Sequence, residues 1–579
     1  MTDWPIFDRT SKTFPLYSRA NVGEIFPDPI SPLNASIGFQ ANLEPGWEAA
    51  FVACRVWDHD IYDKTVDRNV LPAFGSYLYI NMSLMRLFGV RVPGMGAEAV
   101  DLQYFGDMPG IPSYESEKRD FDDDPAFSEQ AGGWLMNEVL LADDLGAYDA
   151  DRADVRAVRE SRPDLSALTD EQLVERLTSY ADLQTRLFQH HIESSLKSGV
   201  GLGAIGQLAA AVGKPELGLT LVSGIGDVDS TGPSSGMWAL SRNARTGAVA
   251  ALFDAGVPGL HERIAASDDA AVVAFRAELD AFLADWDFRG PAEWELRADT
   301  WSLRPELALH TVDRMRGIGD DEAPQVKNAV RVQEREAATA VVRELLAGDA
   351  EALGQFEVAL KAAALWLRGR ERSRTTSAML VHELRLPALE LGRRGVEAGH
   401  LDDAKQVFML FGDELPAYLA DPGSFTEQVR TREKTYVELF DYEPPFVVVG
   451  EVPPLSEWKR RSDRTHTAAV VGETIQGVSG CTGVTRGRAR VLTDPNDPSA
   501  LEPGDILVAP ITDPSWTPLF VAAAGVVVDV GAPFSHAAIV SRELGIPCVV
   551  SATDATGRIP DGALIEVDGT SATVTILEV

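Results

Sequence analysis

The stretch GAPFSHAAIVSRELGIP, residues 531–547, follows the apolar run AAAGVVVDV and sets one histidine, His536, where a helix should begin. Ser535 offers a hydroxyl to a free backbone N–H, and Gly545 with Pro547 supplies the stop. The pattern therefore predicts a helix capped by Ser535, with His536 as its first residue. A side chain at that position sits in the positive end of the helix field. The field disfavours an imidazolium, keeps the ring neutral and nucleophilic near pH 7, and favours negative charge delivered as a phosphoryl group. A capped helix that merely starts on histidine fits the same local pattern, so the wider sequence has to choose.

Around this helix, the runs GRARVLTDP, DILVAP, GVVVDV, IPCVVS, ALIEVDG and ATVTILEV are short, β-rich and separated by Gly, Pro and Asp turns. They predict a compact domain over 477–579 with one clear helix at 535–544. Upstream, proline pairs and a basic run over 450–476 read as a flexible linker. From about Ala131 to Tyr442 apolar residues recur at helical spacing. The first hundred residues, rich in Pro, Gly and aromatics and broken by EIFPDPISPL, read as an irregular wrap on that helical body. The expected fold class is α/β overall: a mostly helical domain over 1–449, then the linker, then the β-rich C-terminal domain.

Composition narrows the function. A formal net charge of −36 over 579 residues repels a phosphate backbone, which argues against nucleic acid as partner. Three cysteines, far apart in sequence and odd in number, suit a reducing compartment. No basic–apolar leader and no apolar run of membrane length is present, so the expected location is cytoplasmic, with no membrane contact. The acidic run DFDDDP at 120–125 reads as a solvated loop, and no P-loop pattern occurs.

The segment from GCTGVTRGRARVL to ALIEVDG, with its SHAAIVSRELGIP signature, resembles the swivelling mobile domain of the phosphoenolpyruvate-utilising enzymes. That group contains pyruvate phosphate dikinase, phosphoenolpyruvate synthase, rifampin phosphotransferase and phenylphosphate synthase. The resemblance implies a β/β/α phosphohistidine domain with His536 as the phosphorylated residue and Ser535 and Ala537 supporting the phosphoryl group. One departure is Gly531-Ala532 in place of the usual glycine pair. Further upstream, SRANVGEIFPDPISPL (18–33), GSYLYINMSLM (75–85), DFRGPAEWELRADTWSLRPEL (287–307) and the stretch 367–415 resemble, in order, the substrate-binding domain of rifampin phosphotransferase and of the phenol- and cresol-phosphorylating synthases.

That resemblance also implies a mechanism. Members of the group load the histidine from an ATP-grasp domain, and no stretch here reads as one or as a phosphoenolpyruvate-binding barrel. The likeness to split phenylphosphate and cresol phosphate synthases implies a separate ATP-grasp subunit of the pyruvate phosphate dikinase ATP-binding type. ATP and Mg²⁺ are expected on that partner, with ATP consumed to AMP and phosphate and no metal held by this chain. Arg370 and Arg374 lie four apart on one helix face, at the family's RExxK position for the acceptor site, with arginine in place of lysine. A guanidinium clamps phosphate but accepts protons poorly, which leaves His536 or His382 as the expected base. Arg385, Arg289, Glu293, His190 and His191 are further candidates for binding a small phenolic or alcohol acceptor, and the segment 223–238 reads as a flexible lid. The rival readings are a phosphocarrier that only scaffolds a partner, and a dikinase-type component acting on pyruvate.

Overall fold

The helical spacing in the middle of the chain is realised in the computed structural model as two long helices, Ala181–Ala211 and Ala350–Glu397. The structure describes residues 4–38, 40–105, 108, 110–226, 228–463, 466–493, 501–512, 516–531 and 535–579. Contacts sort the chain into two units. One comprises residues 1–203, 294–297 and 361–464, the other 204–293, 298–360 and 465–579. Among the described residues no helix is long and apolar enough to cross a membrane.

In the first unit the N-terminal hundred residues hold more regular structure than their proline content suggests. Helix Val22–Ile25 stops just ahead of Pro27, as the missing donor requires. Before it, strand β1 (Leu16–Ser18) pairs antiparallel with β2 (Ile80–Asn81) on one side and with β3 (Val447–Val449) on the other. The aromatic residues that read as an irregular wrap form a core of their own: Tyr17, Phe74, Tyr77 and Tyr79 pack with Trp458. Trp458 thus fastens part of the 450–476 stretch to this unit, while Thr474–Gln476 is already a strand of the second.

Two acidic features of this unit are structural. Asp122 is fully buried against Arg119 and the Tyr114 hydroxyl, and Asp124 caps helix Pro125–Trp134, while Asp120, Phe121 and Asp123 are exposed in the loop that the composition of 120–125 suggests. Glu44 accepts from the backbone N–H groups of Asn69, Val70 and Leu71 at 2.6, 2.8 and 2.7 Å. Glu44→Ala removes the acceptor of three backbone donors, and urea unfolding is expected to record a loss of about 3 kcal/mol.

The second unit holds an eight-stranded mixed sheet. Its strands are β4 (Thr474–Gln476), β5 (Val478–Cys481), β6 (Val484–Val491), β7 (Ile506–Ala509), β8 (Gly525–Val528), β9 (Cys548–Val550), β10 (Leu564–Asp568) and β11 (Thr573–Glu578). Their order is β4-β11-β10-β6-β7-β8-β9-β5, with β6 to β9 parallel and the remaining pairs antiparallel. Central parallel strands are covered on both faces, which is why ILVA, GVVV and CVV are apolar throughout. Alternate residues point to opposite layers: Ile506, Val508, Val527 and Val549 enter one core, and Leu507, Val526, Val528 and Val550 the other.

That second core is shared with helices of the chain's middle, including Met237, Phe282, Trp301 and Met315. The segment 223–238 belongs here. From Gly232 onward it is a helix whose Met237 and Trp238 are buried, and Arg335 donates to the carbonyls of Ser223 and Gly224. Its glycine and serine content overstated its freedom, because Pro233 sits in the first turn of the helix and the apolar face is taken up by the core. Cys481 and Cys548, distant in sequence, are register partners on β5 and β9, and both are free thiols.

Candidate functional site

His536 opens helix His536–Leu544, which follows β8 and leads into β9. Its N-terminus therefore lies at the carboxyl ends of the parallel strands, the edge where open α/β sheets bind ligands. Ser535 caps it in extended conformation with its hydroxyl toward the Ala538 N–H, and Gly545 ends it at φ 70°, a left-handed turn that suits glycine. The helix start and stop expected from Ser535 and Gly545 are both present.

The imidazole is 5% exposed. Nδ1 lies 3.1 Å from Thr512 Oγ1 and Nε2 lies 3.0 Å from Thr517 Oγ1, while the Phe520 ring stands edge-on at 5.9 Å. A neutral imidazole offers one donor and one acceptor, and a threonine hydroxyl serves as either, so the two threonines hold the ring in a fixed plane whichever nitrogen carries the proton. Thr512 and Thr517 were not singled out from sequence. The signal available was two hydroxyl residues in the stretch that follows the parallel strand DILVA. Helix Pro324–Leu346 packs beside the histidine helix, and its Arg331 donates to the Gly545 carbonyl at 3.0 Å.

In the first unit, helix Ala350–Glu397 carries Arg370 and Arg374 as expected from their spacing. The two differ in surroundings. Arg370 pairs with Glu371 at 3.0 Å. Arg374 is 6% exposed, has no carboxylate within ion-pair distance among the described residues, and its Nε makes no hydrogen bond. A buried guanidinium without a counter-ion is costly unless an anion completes the site. His191, from helix Ala181–Ala211, joins them: its Nδ1 lies 3.1 Å from Ser373 Oγ, and its ring stands 5.4 Å from Trp294 and 5.8 Å from Phe188. Burial first, then the charges of Arg370 and Arg374, hold the His191 imidazole well below the usual histidine range, so it is neutral. Tyr104 is a further neighbour, its phenol raised by burial and drawn back by the Arg370 charge. Ser373 escaped the sequence reading, although its i+3 spacing from Arg370 puts it on the same face.

The remaining candidates fall elsewhere. His382 is fully buried and takes Arg385 Nη1 at 3.1 Å, while Arg385 also donates to the carbonyls of Glu295 and Leu296, fastening the long helix to residues 294–297. Burial, then the arginines 385, 162 and 159, lowers the His382 pKa. Arg289 and Glu293 pair with each other at 2.7 Å in the second unit. His190 faces away from His191 and meets Asp151 at 2.5 Å, which raises its pKa against the opposing effect of burial. An unfolded histidine titrates near 6.5. Because the folded value lies higher, the stabilisation from this pair is complete below about pH 6.5 and is lost as pH rises through the raised value. Asp151→Asn is expected to remove that slope from a plot of unfolding free energy against pH.

The family description "PEP-utilising enzyme, mobile domain" matches residues 501–572, and "Rifampicin phosphotransferase fourth domain" matches 190–371. Along its whole length the chain is 29% identical, over 601 aligned residues, to an uncharacterized protein of Mycobacterium tuberculosis (strain ATCC 25618 / H37Rv), covering 100% of this chain and 62% of that protein. It is 38% identical over 184 residues to a rifampicin phosphotransferase of Streptomyces sviceus, covering 32% of this chain and 20% of that one. Against the prodigiosin synthesizing transferase of Serratia marcescens the identity is 29% over 309 residues, 52% of this chain and 33% of that one. The chain thus spans 62% of the length of the curated relatives that it matches from end to end. Around His536 it carries a match to the mobile domain of the phosphoenolpyruvate-utilising enzymes and, ahead of it, a match to the fourth domain of rifampicin phosphotransferase.

Proposed function

We propose that this chain is the acceptor-binding, phosphohistidine-bearing component of an ATP-dependent phosphotransferase that phosphorylates the hydroxyl of a small phenolic or apolar alcohol. The observation that carries the reading is His536 itself: a capped helix start at the carboxyl edge of a parallel sheet, with both ring nitrogens on threonine hydroxyls. In loading, Nε2 forms its bond to the β-phosphorus of ATP as the bond from that phosphorus to the AMP oxygen breaks, water then releases the γ-phosphoryl group as phosphate, and Thr512 keeps the proton on Nδ1. Thr517, freed from Nε2, then donates to a phosphoryl oxygen beside the helix N-terminus. At 5% exposure the ring has to become uncovered to be loaded, and the proposal assigns its travel between donor and acceptor to a domain that swings on the 450–476 connection.

The acceptor site of this proposal is the buried group of Arg374, Arg370 and His191. Arg374, lacking a carboxylate, is poised for the equatorial oxygens of the transferring group. The donor, ATP with Mg²⁺, is assigned to a separate ATP-grasp subunit of the pyruvate phosphate dikinase ATP-binding type. The test is to combine the chain with such a subunit, ATP and phenol or p-cresol and follow products by ³¹P NMR. Aryl phosphate, AMP and phosphate in equal amounts are expected. Phosphohistidine without phosphate ester from any alcohol tried favours a carrier over a transferase, and no phosphohistidine at all defeats the reading.

A further inference from the structure

The hydrogen bonds around His191 suit one tautomer. Ser194 Oγ donates to the His191 carbonyl at 2.8 Å. Ser373 Oγ donates its single proton to the Arg370 carbonyl at 2.9 Å, with Ser194 Oγ at 3.0 Å beside it. Both serine hydroxyls and Nδ1 have partners when the His191 Nδ1–H donates to Ser373 Oγ. Nδ1 then holds the proton and Nε2 holds the lone pair. Nδ1 is the His191 ring nitrogen that a side-chain hydrogen bond holds. Three buried polar groups nearby have no hydrogen-bond partner: Arg374 Nε, Ser377 Oγ one turn along the same helix, and Nε1 of Trp47, whose ring meets Phe188 at 5.9 Å. Buried polar groups left without partners in one neighbourhood mark a place where something else supplies the bonds.

We infer that Nε2 of His191 is the hydrogen-bond acceptor for the substrate hydroxyl, and that this hydroxyl belongs to an aromatic alcohol whose ring lies against Trp294 and Phe188. The substrate's identity as a phosphoryl acceptor rests on the function proposed above. As the hydroxyl oxygen bonds to phosphorus, the Nε2–phosphorus bond of His536 breaks and its electron pair returns to that imidazole. The hydroxyl proton passes to His191 Nε2 and from there to water. Burial first and then the two arginines make His191 a weak base, and the arriving phosphoryl dianion offsets the arginine charge, so basicity rises when the proton has to move. In a loose transition state the oxygen needs orientation before it needs deprotonation, and a fixed lone pair supplies that.

The test uses phenol as probe and needs neither ATP nor the partner. In the full chain labelled with ¹⁵N-histidine, the His191 resonances, identified by their absence in His191→Gln, are expected to show the proton on Nδ1. Phenol should move the Nε2 signal, while benzene at equal concentration should not. Tryptophan fluorescence should report phenol affinity reduced about tenfold in His191→Phe, with benzene affinity unchanged, and largely restored in His191→Gln. A proton on Nε2 overturns the inference, as does a His191→Phe protein that binds phenol like the wild type. If His191→Phe does not fold, the wild-type spectra still decide, because a Nε2 signal indifferent to phenol also overturns it. Failure of His536 to accept a phosphoryl group defeats the phosphotransferase reading alone, since phenol binding at His191 is measured without it.

Discussion

His536→Ala is expected to abolish phosphoryl transfer to any alcohol acceptor, because among the described residues no other group in the mobile domain stands at the helix start with a nucleophilic nitrogen. The variant should keep its fold, since the helix retains its Ser535 cap and its Gly545 stop. Circular dichroism and the urea midpoint check that point. Labelling by ATP and the partner subunit should vanish together with transfer. His536→Gln should be equally dead: an amide can satisfy the threonines, but it is no nucleophile. Residual labelling of either variant relocates the intermediate to another residue.

Arg374→Ala should separate the two half-reactions. Phosphohistidine forms at nearly the normal rate, and transfer to the acceptor slows by about two to four powers of ten, the loss expected when a cation facing the transferring phosphoryl group is removed. Arg370→Ala should cost less than Arg374→Ala, because the Arg370 charge is already matched by Glu371 whereas the Arg374 charge is not. Arg374→Lys should recover part of the rate, since a point charge replaces a planar fork. Rapid-quench measurement of each half-reaction checks all three, and equal loss in both steps means the helix is only structural.

What was legible in the sequence was local. Ser535 and Gly545 announce a helix because capping depends on residues a few positions apart. Arg370 and Arg374 share a face because four residues make about one turn. Contacts over long separations were not legible. Nothing in the helical middle says that residues 204–293 and 298–360 share a core with the C-terminal sheet, since an apolar stripe does not name what it packs against. Thr512 and Thr517 reach His536 only because β7 and β8 run side by side, and Cys481 meets Cys548 only through strand pairing. The histidine pair was legible as one member turned each way. That His191, and not His190, joins the arginines depends on which face of Ala181–Ala211 meets the long helix.

One measurement bears most directly on His536 as a carrier between two reactions. The chain is incubated with ATP and an ATP-grasp subunit, freed of nucleotide, and chased with phenol in a single turnover while intact mass and fragment spectra are recorded. The account predicts one acid-labile phosphoryl group on Nε2 of His536 that disappears at the rate aryl phosphate appears. A phosphoryl group on any other residue, or aryl phosphate formed while the His536 label persists, contradicts it.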